Sequence, residues 1–134
     1  MKRRFAAAGM AAASIAGLIG FAPSASAATP ACVKSAKVLV GGYGAWVPVS
    51  DGGSVNCVMG QGTHNEGVGD LQSALRKCNG ANGLDVDGRY GPLTAQAVRD
   101  FQALVRIPVD GVYGPQTRAA MYWVINDTQT CTKY

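Results

Sequence analysis

The second half of the chain carries a hydrophobic pattern that is typical of helices. Apolar residues recur at i, i+3, i+7 and i+10, which is one face of a helix, at Val68, Leu71, Leu75 and Cys78. Asn79-Gly80 then supplies a helix-ending signal. The spacing predicts a first helix that begins after Gly67 and ends at Asn79.

Two further helices are predicted, and each begins at a proline. Pro92 opens the second helix and Pro108 prevents its extension, whereas Pro115 opens the third, which we expect to end at Asn126-Asp127. The inward-facing residues of the second helix are predicted to be Leu93, Ala97, Val98, Phe101, Leu104 and Val105. Those of the third are predicted to be Ala119, Ala120, Trp123 and Val124.

The region from Thr29 to about Thr63 has a different pattern, rich in Gly, Val and Ser. Val38-Leu39-Val40 and Trp46-Val47-Pro48-Val49 read as short β segments, and Ser50-Asp51-Gly52-Gly53 is a turn signal. We expect short β or extended segments around a hairpin here. The sequence therefore predicts a mainly α domain over residues 60–134 with a loop- and β-rich N-terminal extension over residues 28–59.

The first 27 residues are typical of a secretory signal peptide. Three basic residues at positions 2–4 precede an Ala-rich apolar stretch over 5–22, and Ala25-Ser26-Ala27 offers the small residues of a cleavage site. A membrane anchor is the competing interpretation, but the stretch is rich in Ala and Gly and only weakly hydrophobic. We expect cleavage after Ala27, with Ala28 as the alternative, and a secreted protein with no membrane anchor.

The signal peptide changes the meaning of the net charge. The chain has 12 Lys and Arg against 8 Asp and Glu. Three of the basic residues lie in the first 27, so 9 remain against 8 in the exported 107 residues. A nucleic-acid-binding domain normally presents a strongly basic face, so this near-neutral balance argues against that class. The length suits one domain with a modest core.

All four cysteines lie in the exported part, at positions 32, 57, 78 and 131. An even number in a small exported chain indicates two disulfides, for which three connectivities exist. Zinc is the competing use of cysteine. The chain has no C-x-x-C and a single histidine, His64, so we expect no metal site and no cofactor.

A repeat is the strongest internal signal in the chain. Eight residues recur at an offset of 23 positions, as D-G-x-Y-G-P-x-T with a valine before it and an alanine after it. Two copies are too few for a solenoid, so we interpret the repeat as one turn-plus-helix device used twice. The first copy comprises Val86, Asp87, Gly88, Tyr90, Gly91, Pro92, Thr94 and Ala97, and the second comprises Val109, Asp110, Gly111, Tyr113, Gly114, Pro115, Thr117 and Ala120.

Each residue type in the repeat suits a structural task. Asp-Gly favours a tight turn, Gly-Pro starts a helix, and Thr can bond a free group in the first helical turn. We expect the tyrosines to lay their rings on the core with their hydroxyls near water. Val86 and Val109 are expected to anchor the turns in the core, and Gly91→Val is expected to damage folding by crowding the turn.

The chain resembles the three-helix peptidoglycan-binding domain family, an accessory module of bacterial cell-wall hydrolases. The resemblance rests on V-x-x-L-Q-x-x-L at 68–75, on the two motifs at 87–94 and 110–117, and on the pair Phe101-Gln102. It covers roughly residues 60–127, half of the chain. It implies a compact three-helix fold that recognises glycan strands or stem peptides in a shallow groove.

The resemblance also implies candidate ligand contacts among the polar and aromatic motif residues, which we expect to be exposed. A competing interpretation of Gln102, which lies beside a core Phe, is that it ties down a neighbouring backbone. Gln72 is a further candidate. The predicted peptidoglycan-binding residues are Asp87, Arg89, Tyr90, Thr94, Gln102, Tyr113 and Thr117.

The cysteines depart from the family pattern, and their positions favour one connectivity. Cys78 ends the first predicted helix and Cys131 follows the third, so the two would meet at the ends of packed helices. Cys32 and Cys57 would then close the N-terminal extension. The expected disulfides are therefore Cys32–Cys57 and Cys78–Cys131.

No catalytic set is recognisable, so we expect a non-catalytic protein that binds peptidoglycan and is associated with the cell wall. His64 reads as an exposed loop residue, the Asp residues of the motifs have structural tasks, and no nucleophile motif such as G-x-S-x-G occurs. One alternative is a secreted inhibitor or partner protein that contacts another protein through Tyr43 and Trp46. The other is a minimal wall hydrolase.

Overall fold

The computed structural model describes residues 27–134. In chain order it contains strands β1 (Lys34–Val40) and β2 (Tyr43–Val49), helices α1 (Glu66–Cys78), α2 (Pro92–Leu104) and α3 (Pro115–Ala120), and strands β3 (Tyr122–Val124) and β4 (Cys131–Lys133). Three helices dominate, and the strands form two antiparallel pairs, β1-β2 and β3-β4. The predicted fold class, a small helical domain with a β-containing extension, is confirmed.

The sequence predicts a signal peptide and no membrane anchor. The predicted signal peptide at 1–27 lies outside the described residues, apart from Ala27. Within residues 27–134, none of the helices has the length and apolar character needed to cross a membrane.

The predicted N-terminal hairpin is present, and its connection lies before the predicted turn signal. β1 and β2 pair from Lys34↔Val49 to Val40↔Tyr43, so Gly41-Gly42 forms the connection. Both glycines have positive φ, 57° and 87°, which a two-residue hairpin loop requires. The predicted turn at Ser50–Gly53 is present, but it follows β2 and does not join the strands.

The first helix begins at Glu66, two residues before the predicted start, and ends at Cys78 as Asn79-Gly80 predicts. The side chain of Asn65 caps α1 by accepting a hydrogen bond from the backbone N–H of Val68 at 3.1 Å. Arg76 and Lys77 lie in the last turn, where positive charge favours the helix dipole. The backbone N–H of Asn79 closes the helix on the carbonyl of Leu75.

The second helix begins at Pro92 as predicted, but its buried face differs from the predicted stripe. Leu93 and Leu104 are 74% and 75% exposed. The buried positions include two polar residues, Thr94 and Gln102, alongside Phe101. The helix is rotated in this way because the polar side chains find hydrogen-bond partners inside the domain.

The third helix is shorter than predicted. It ends at Ala120, and the chain at Met121 is already extended, with φ −78° and ψ 153°. Trp123 is buried as expected, but it lies on β3, which pairs with β4. The prediction of helix up to Asn126 is wrong because the aromatic and β-branched run Tyr122–Val124 gains a strand partner that lies later in the chain.

Two disulfides hold the outer segments, and they join the pairs expected from the sequence. Cys32 bonds to Cys57, and Cys78 bonds to Cys131. The reason expected for the second pair is wrong in part, because Cys131 lies on β4 and not beside a helix end. The bridge therefore ties the end of α1 to the β3-β4 sheet.

One hydrophobic core is shared by the hairpin and the helices. Its largest fully buried side chains include Trp123, Tyr90, Tyr113, Leu71 and Leu75. The hairpin contributes alternate residues of β2, namely Ala45, Val47 and Val49, each fully buried. Val86 and Val109, expected to anchor the turns in the core, are largely exposed.

Candidate functional site

A buried glutamine organises the first D-G-x-Y-G-P-x-T motif. Gln72 projects from α1, and its Oε1 accepts the backbone N–H groups of Asp87 and Gly88 at 3.0 and 2.9 Å. Its Nε2 donates to Asp87 Oδ1, to the carbonyl of Arg89 and to Thr94 Oγ1, each at 2.9 Å. One amide thus fastens both sides of the turn and the start of α2.

The second motif is held in the same way by the next helix. Gln102 projects from α2, and its Oε1 accepts the backbone N–H groups of Asp110 and Gly111, both at 3.0 Å. Its Nε2 donates to Asp110 Oδ1, to the carbonyl of Val112 and to Thr117 Oγ1, at 2.8 to 3.1 Å. The expectation that Gln102 ties down a neighbouring backbone is confirmed.

The two motif tyrosines are core residues. The hydroxyl of Tyr90 donates to the carbonyl of Gly111 at 2.7 Å, which links the first motif to the second turn. Tyr113 packs edge-on against Trp123, with ring centroids 6.2 Å apart. Burial raises the pKa of both phenols well above the usual value. The expectation that their hydroxyls lie near water is wrong.

Most of the predicted ligand-binding residues are therefore not exposed. Tyr90, Thr94, Gln102, Tyr113 and Thr117 all retain at most 2% of their surface. The two threonines are buried because they accept hydrogen bonds from the Gln72 and Gln102 amides. The two tyrosines are buried because they pack in the hydrophobic core. Gln102 and Thr117 nevertheless line a surface depression of about 310 Å³. Contact of these residues with a ligand stays a prediction.

Asp87 and Arg89 are the two predicted residues that remain exposed. The pKa of Asp87 is lowered, first by the hydrogen bond from Gln72 and next by the backbone N–H of Arg89, which donates to Oδ1 at 2.9 Å. Both residues line a small hollow of about 260 Å³ beside the start of α2, next to Leu93. Asp87 is thus an ionised turn residue at the edge of a surface depression.

A larger groove of about 540 Å³ runs along the outer face of α2. This volume lies in the range of small-ligand sites. Phe101 and Leu84 are mostly buried and lie at its base, and the exposed Leu93 and Leu104 line it further along α2. The remaining lining residues are Asn79, Gly80, Ala81, Asn82, Gly83, Gln96, Ala97 and Asp100.

The polar residues of this groove differ in their freedom to bind a ligand. Asn79 is committed to the fold, because its Nδ2 donates to the carbonyls of Ala74 and Tyr122, both at 2.8 Å. Gln96 and Asp100 bond to each other at 2.7 Å on the exposed side of the helix. Asn82 is exposed in the loop between α1 and α2. The groove therefore offers an apolar surface with amide and carboxylate groups beside it.

Sequence reasoning missed this groove because it treated Leu93 and Leu104 as core residues. Helical periodicity identifies an apolar face, but it does not say whether another element covers that face. The number of apolar residues on α2 could have indicated an exposed apolar surface, because it is larger than a single core-facing stripe requires.

The described residues contain no group of three or more His, Cys, Asp or Glu side chains placed to hold a metal ion. His64 is exposed, as expected, and forms an isolated backbone bridge with Arg89.

Residues 64–121 match the family model described as "Putative peptidoglycan binding domain". This segment is therefore similar to the peptidoglycan-binding domain family. The match spans both motifs, both clamping glutamines and the whole of α2. The comparison detects a binding domain and no catalytic domain in this chain.

Solved structures provide a second comparison. The crystal structure of the SleB N-terminal domain is 42% identical to this chain in the aligned region, which covers 46% of this chain and 84% of that one, with a TM-score of 0.44. A search of curated proteins finds no match.

Proposed function

We propose that this protein is a secreted, non-catalytic protein that binds peptidoglycan at the cell wall, and that the groove along α2 is its binding surface. The observation that carries the proposal is the position of an open, apolar groove on a domain of the peptidoglycan-binding family. Export by the predicted signal peptide agrees with the two disulfides, which form in oxidising compartments.

The chemistry of the groove suits a glycopeptide polymer. Leucine side chains can cover the apolar face of a sugar ring or the methyl groups of a stem peptide. Gln96, Asp100 and Asn82 can exchange hydrogen bonds with hydroxyl and amide groups. Because the exported chain is near-neutral, we propose that binding depends little on salt.

We also propose the division of the chain into a signal peptide at 1–27, an extension at 28–59 and the binding domain at 60–134. In this scheme the extension contributes the hairpin that packs on α1, and the first disulfide closes it.

Co-sedimentation of the mature protein with insoluble peptidoglycan tests the function. Protein in the pellet, with no release of soluble fragments, is the expected result. Protein that stays in the supernatant at every salt concentration contradicts wall binding. That outcome favours the partner-protein alternative, for which the exposed side chains of Tyr43 and Trp46 on the hairpin are the supporting observation. Clearing of a peptidoglycan suspension instead favours a hydrolase.

A double variant, Leu93→Ser with Leu104→Ser, tests the groove. We expect at least a tenfold loss of affinity, because each leucine covered by ligand contributes about 1 kcal/mol or more of apolar burial. Both leucines are exposed in the free protein, so folding should not change.

Leu39→Ser is the matched control for this experiment. Leu39 is 77% exposed, but it lies on the hairpin and outside the groove. It should bind peptidoglycan like the wild type. Equal loss in the control and the double variant would remove the groove from the proposal while leaving wall binding intact.

A further inference from the structure

A further, narrow cleft lies between the hairpin, α1, β3 and the segment that follows β3. It is lined by residues of all four, and most of them lie outside the family match at 64–121. The lining residues are Trp46, Asp70, Ser73, Trp123, Val124, Asn126 and Gln129. Because the hairpin and the β3-β4 turn supply its walls, this cleft is a feature of the whole chain and not of the family domain alone.

Asp70 is a partly buried carboxylate with no positively charged partner. Its Oδ2 accepts a hydrogen bond from the hydroxyl of Ser35 on β1. Its Oδ1 receives no hydrogen bond from the part of the chain that the structure describes, and no Lys or Arg in residues 27–134 forms an ion pair with Asp70. Burial raises the pKa of Asp70 to about 6, which reports how poorly its charge is compensated.

The charged and titratable groups around Asp70 do not neutralise it. Glu66, on the same helix, adds a like charge that raises the pKa further. Lys37 lies opposite Trp46 in the hairpin, but its side chain passes over Gly44. Lys77 donates to Gln129, one of the cleft residues. The phenol of Tyr113 lies within electrostatic reach of Asp70 but is neutral at ordinary pH.

Trp46 supplies an aromatic wall beside this carboxylate. Its side chain is 48% exposed although it lines the cleft. A carboxylate with an adjacent aromatic ring is the combination that favours an organic cation, because the ring face attracts the cation and the carboxylate balances its charge. A neutral ligand would leave the charge on Asp70 uncompensated.

The size of the cleft limits what can enter. Its volume is about 110 Å³, which is the share of about four water molecules at roughly 30 Å³ each. Sites for whole small molecules are about 300 Å³ or larger. The cleft can therefore take one functional group at the end of a flexible chain.

We propose that this cleft binds a primary ammonium group, held by the Asp70 carboxylate and the Trp46 ring. The source that we assign to this ammonium group rests on the proposed function: it is the side-chain amine of a diamino acid in a wall peptide. This contact would be the protein's second one, beside the α2 groove. An amine on a sugar ring has the same charge, but it carries its ring directly against the narrow opening.

Tryptophan fluorescence reports on this cleft directly, because both tryptophans of the chain line it. The probes are n-butylammonium and its neutral analogue N-butylacetamide. At pH 7.5 we expect saturable quenching or a spectral shift with n-butylammonium and none with the neutral analogue. At pH 5 the dissociation constant for the ammonium should be about tenfold higher, since only about one Asp70 in ten is ionised one unit below its pKa.

Variants separate this site from a general effect. Asp70→Asn should abolish the response while preserving the bond with Ser35 and the fold, which circular dichroism checks. Trp46→Leu should weaken ammonium binding at least fivefold. Binding to this variant is measured by the chemical shift of the Trp123 indole N–H. Asp51→Asn removes an exposed carboxylate outside the cleft and should bind like the wild type.

Two outcomes would overturn the proposal. One is an equal response to N-butylacetamide, and the other is unchanged ammonium binding by Asp70→Asn. The source of the amine is tested with Nα-acetyl-lysine methylamide against glucosamine. Stronger binding of the lysine derivative supports a peptide amine, and stronger binding of glucosamine overturns that source. Peptidoglycan co-sedimentation measures the proposed function independently, so the two can fail separately.

Discussion

At the residue scale, the same side-chain device is used twice in this domain. A glutamine amide both donates and accepts, so Gln72 and Gln102 can each hold two backbone N–H groups with the oxygen and three acceptors with the nitrogen. The amide nitrogen has two hydrogens, so one of them is shared between two acceptors. The motif Asp and Thr are partners of these amides, and their residue types follow from that role.

Gln102→Leu tests whether Gln102 is a structural clamp or a ligand contact. The change keeps the approximate volume but removes the acceptor of the Asp110 and Gly111 backbone N–H groups. It also removes the donor to the Val112 carbonyl and to Thr117 Oγ1, whereas Asp110 Oδ1 keeps the backbone N–H of Val112. We expect the free energy of unfolding to fall by about 2–4 kcal/mol. In urea denaturation the midpoint should fall with an unchanged m value.

Gln96→Leu is the control on the same helix, since Gln96 is exposed, and its stability should stay within about 0.5 kcal/mol of the wild type. If Gln102→Leu were as stable as the wild type and failed only to bind peptidoglycan, the clamp interpretation would be wrong.

The glycines of the motif divide into two kinds that the sequence does not distinguish. Gly88 and Gly111 have φ of 72°, and a Cβ on Gly111 would lie 2.6 Å from Arg99 Nη1. Gly91 has an ordinary negative φ, and a Cβ there would meet nothing within 4 Å. The expectation that Gly91→Val crowds the turn is therefore wrong; the constrained position is the Gly of Asp-Gly.

The candidate site illustrates what residue types alone can predict. Tyr, Thr and Gln in a repeated motif have the chemistry of ligand contacts, and the sequence cannot say that internal partners use that chemistry. Only Asp87 and Arg89 keep the predicted exposure. The groove, by contrast, is made of apolar residues that a helical pattern assigns to a core.

At the element scale, the hydrophobic pattern and the capping residues predicted the helices α1 and α2, which are stabilised largely by interactions between residues close in sequence. α1 and α2 have strong apolar periodicity, an N-cap or a proline at the start, and clear ends. α2 begins at Pro92 as expected, and α1 begins two residues before its expected start. β3 and β4 are only three residues each and exist through pairing across a turn, which no local pattern encodes. The local pattern therefore predicts that α3 continues through Tyr122–Val124, which is strand β3 in the structure.

The Cys78–Cys131 bridge is predicted to hold this small sheet on α1. Its cysteines are 53 residues apart, for which the chain-entropy model gives about 4 kcal/mol. The double variant Cys78→Ala with Cys131→Ala should lose about 2–4 kcal/mol in chemical denaturation. Hydrogen exchange should increase first at β3 and β4, whereas the amides of the β1-β2 hairpin keep their protection.

Peptide mapping of the unreduced wild type is the accompanying check. Peptides that join Cys57 to Cys78 would contradict both the pairing and the stability argument. Uniform loss of protection in the double variant would show that the bridge stabilises the whole domain and has no local effect on the sheet.

At the scale of the whole molecule, the hairpin, the helices and the β3-β4 sheet act as one packed body. The core includes Val47 of the hairpin, Leu71 of α1 and Trp123 of β3, so the N-terminal extension is part of the hydrophobic interior. Family resemblance alone predicts a three-helix module, and it did not predict that additional segments would share its core. The narrow cleft with Asp70 exists because of that sharing.

The same packing makes the stability of the protein depend on pH in a direction opposite to the usual one for a carboxylate. The raised pKa of Asp70 means that the folded state binds its proton more tightly than the unfolded state, whose value is near 3.8. The stabilisation is complete below that value and is lost as the pH rises through about 6. Unfolding free energy should therefore increase as the pH is lowered from 7.5 to about 4.5, by roughly 1–2 kcal/mol after allowance for partial exposure.

Asp70→Asn should remove this trend and leave a protein that is more stable than the wild type at pH 7.5 and similar to it near pH 4. Urea midpoints at the two pH values give the comparison. Asp87→Asn is the informative counterpart, because the pKa of Asp87 is lowered in the folded state. Ionised Asp87 therefore stabilises the fold above the ordinary carboxyl pKa, and this stabilisation is lost as the pH falls through its folded-state value. A wild type and an Asp70→Asn variant whose stabilities change equally between pH 7.5 and 4.5 would show that Asp70 is solvated and ionised in the folded state. The hairpin would then not be packed on α1 as tightly as the shared core requires.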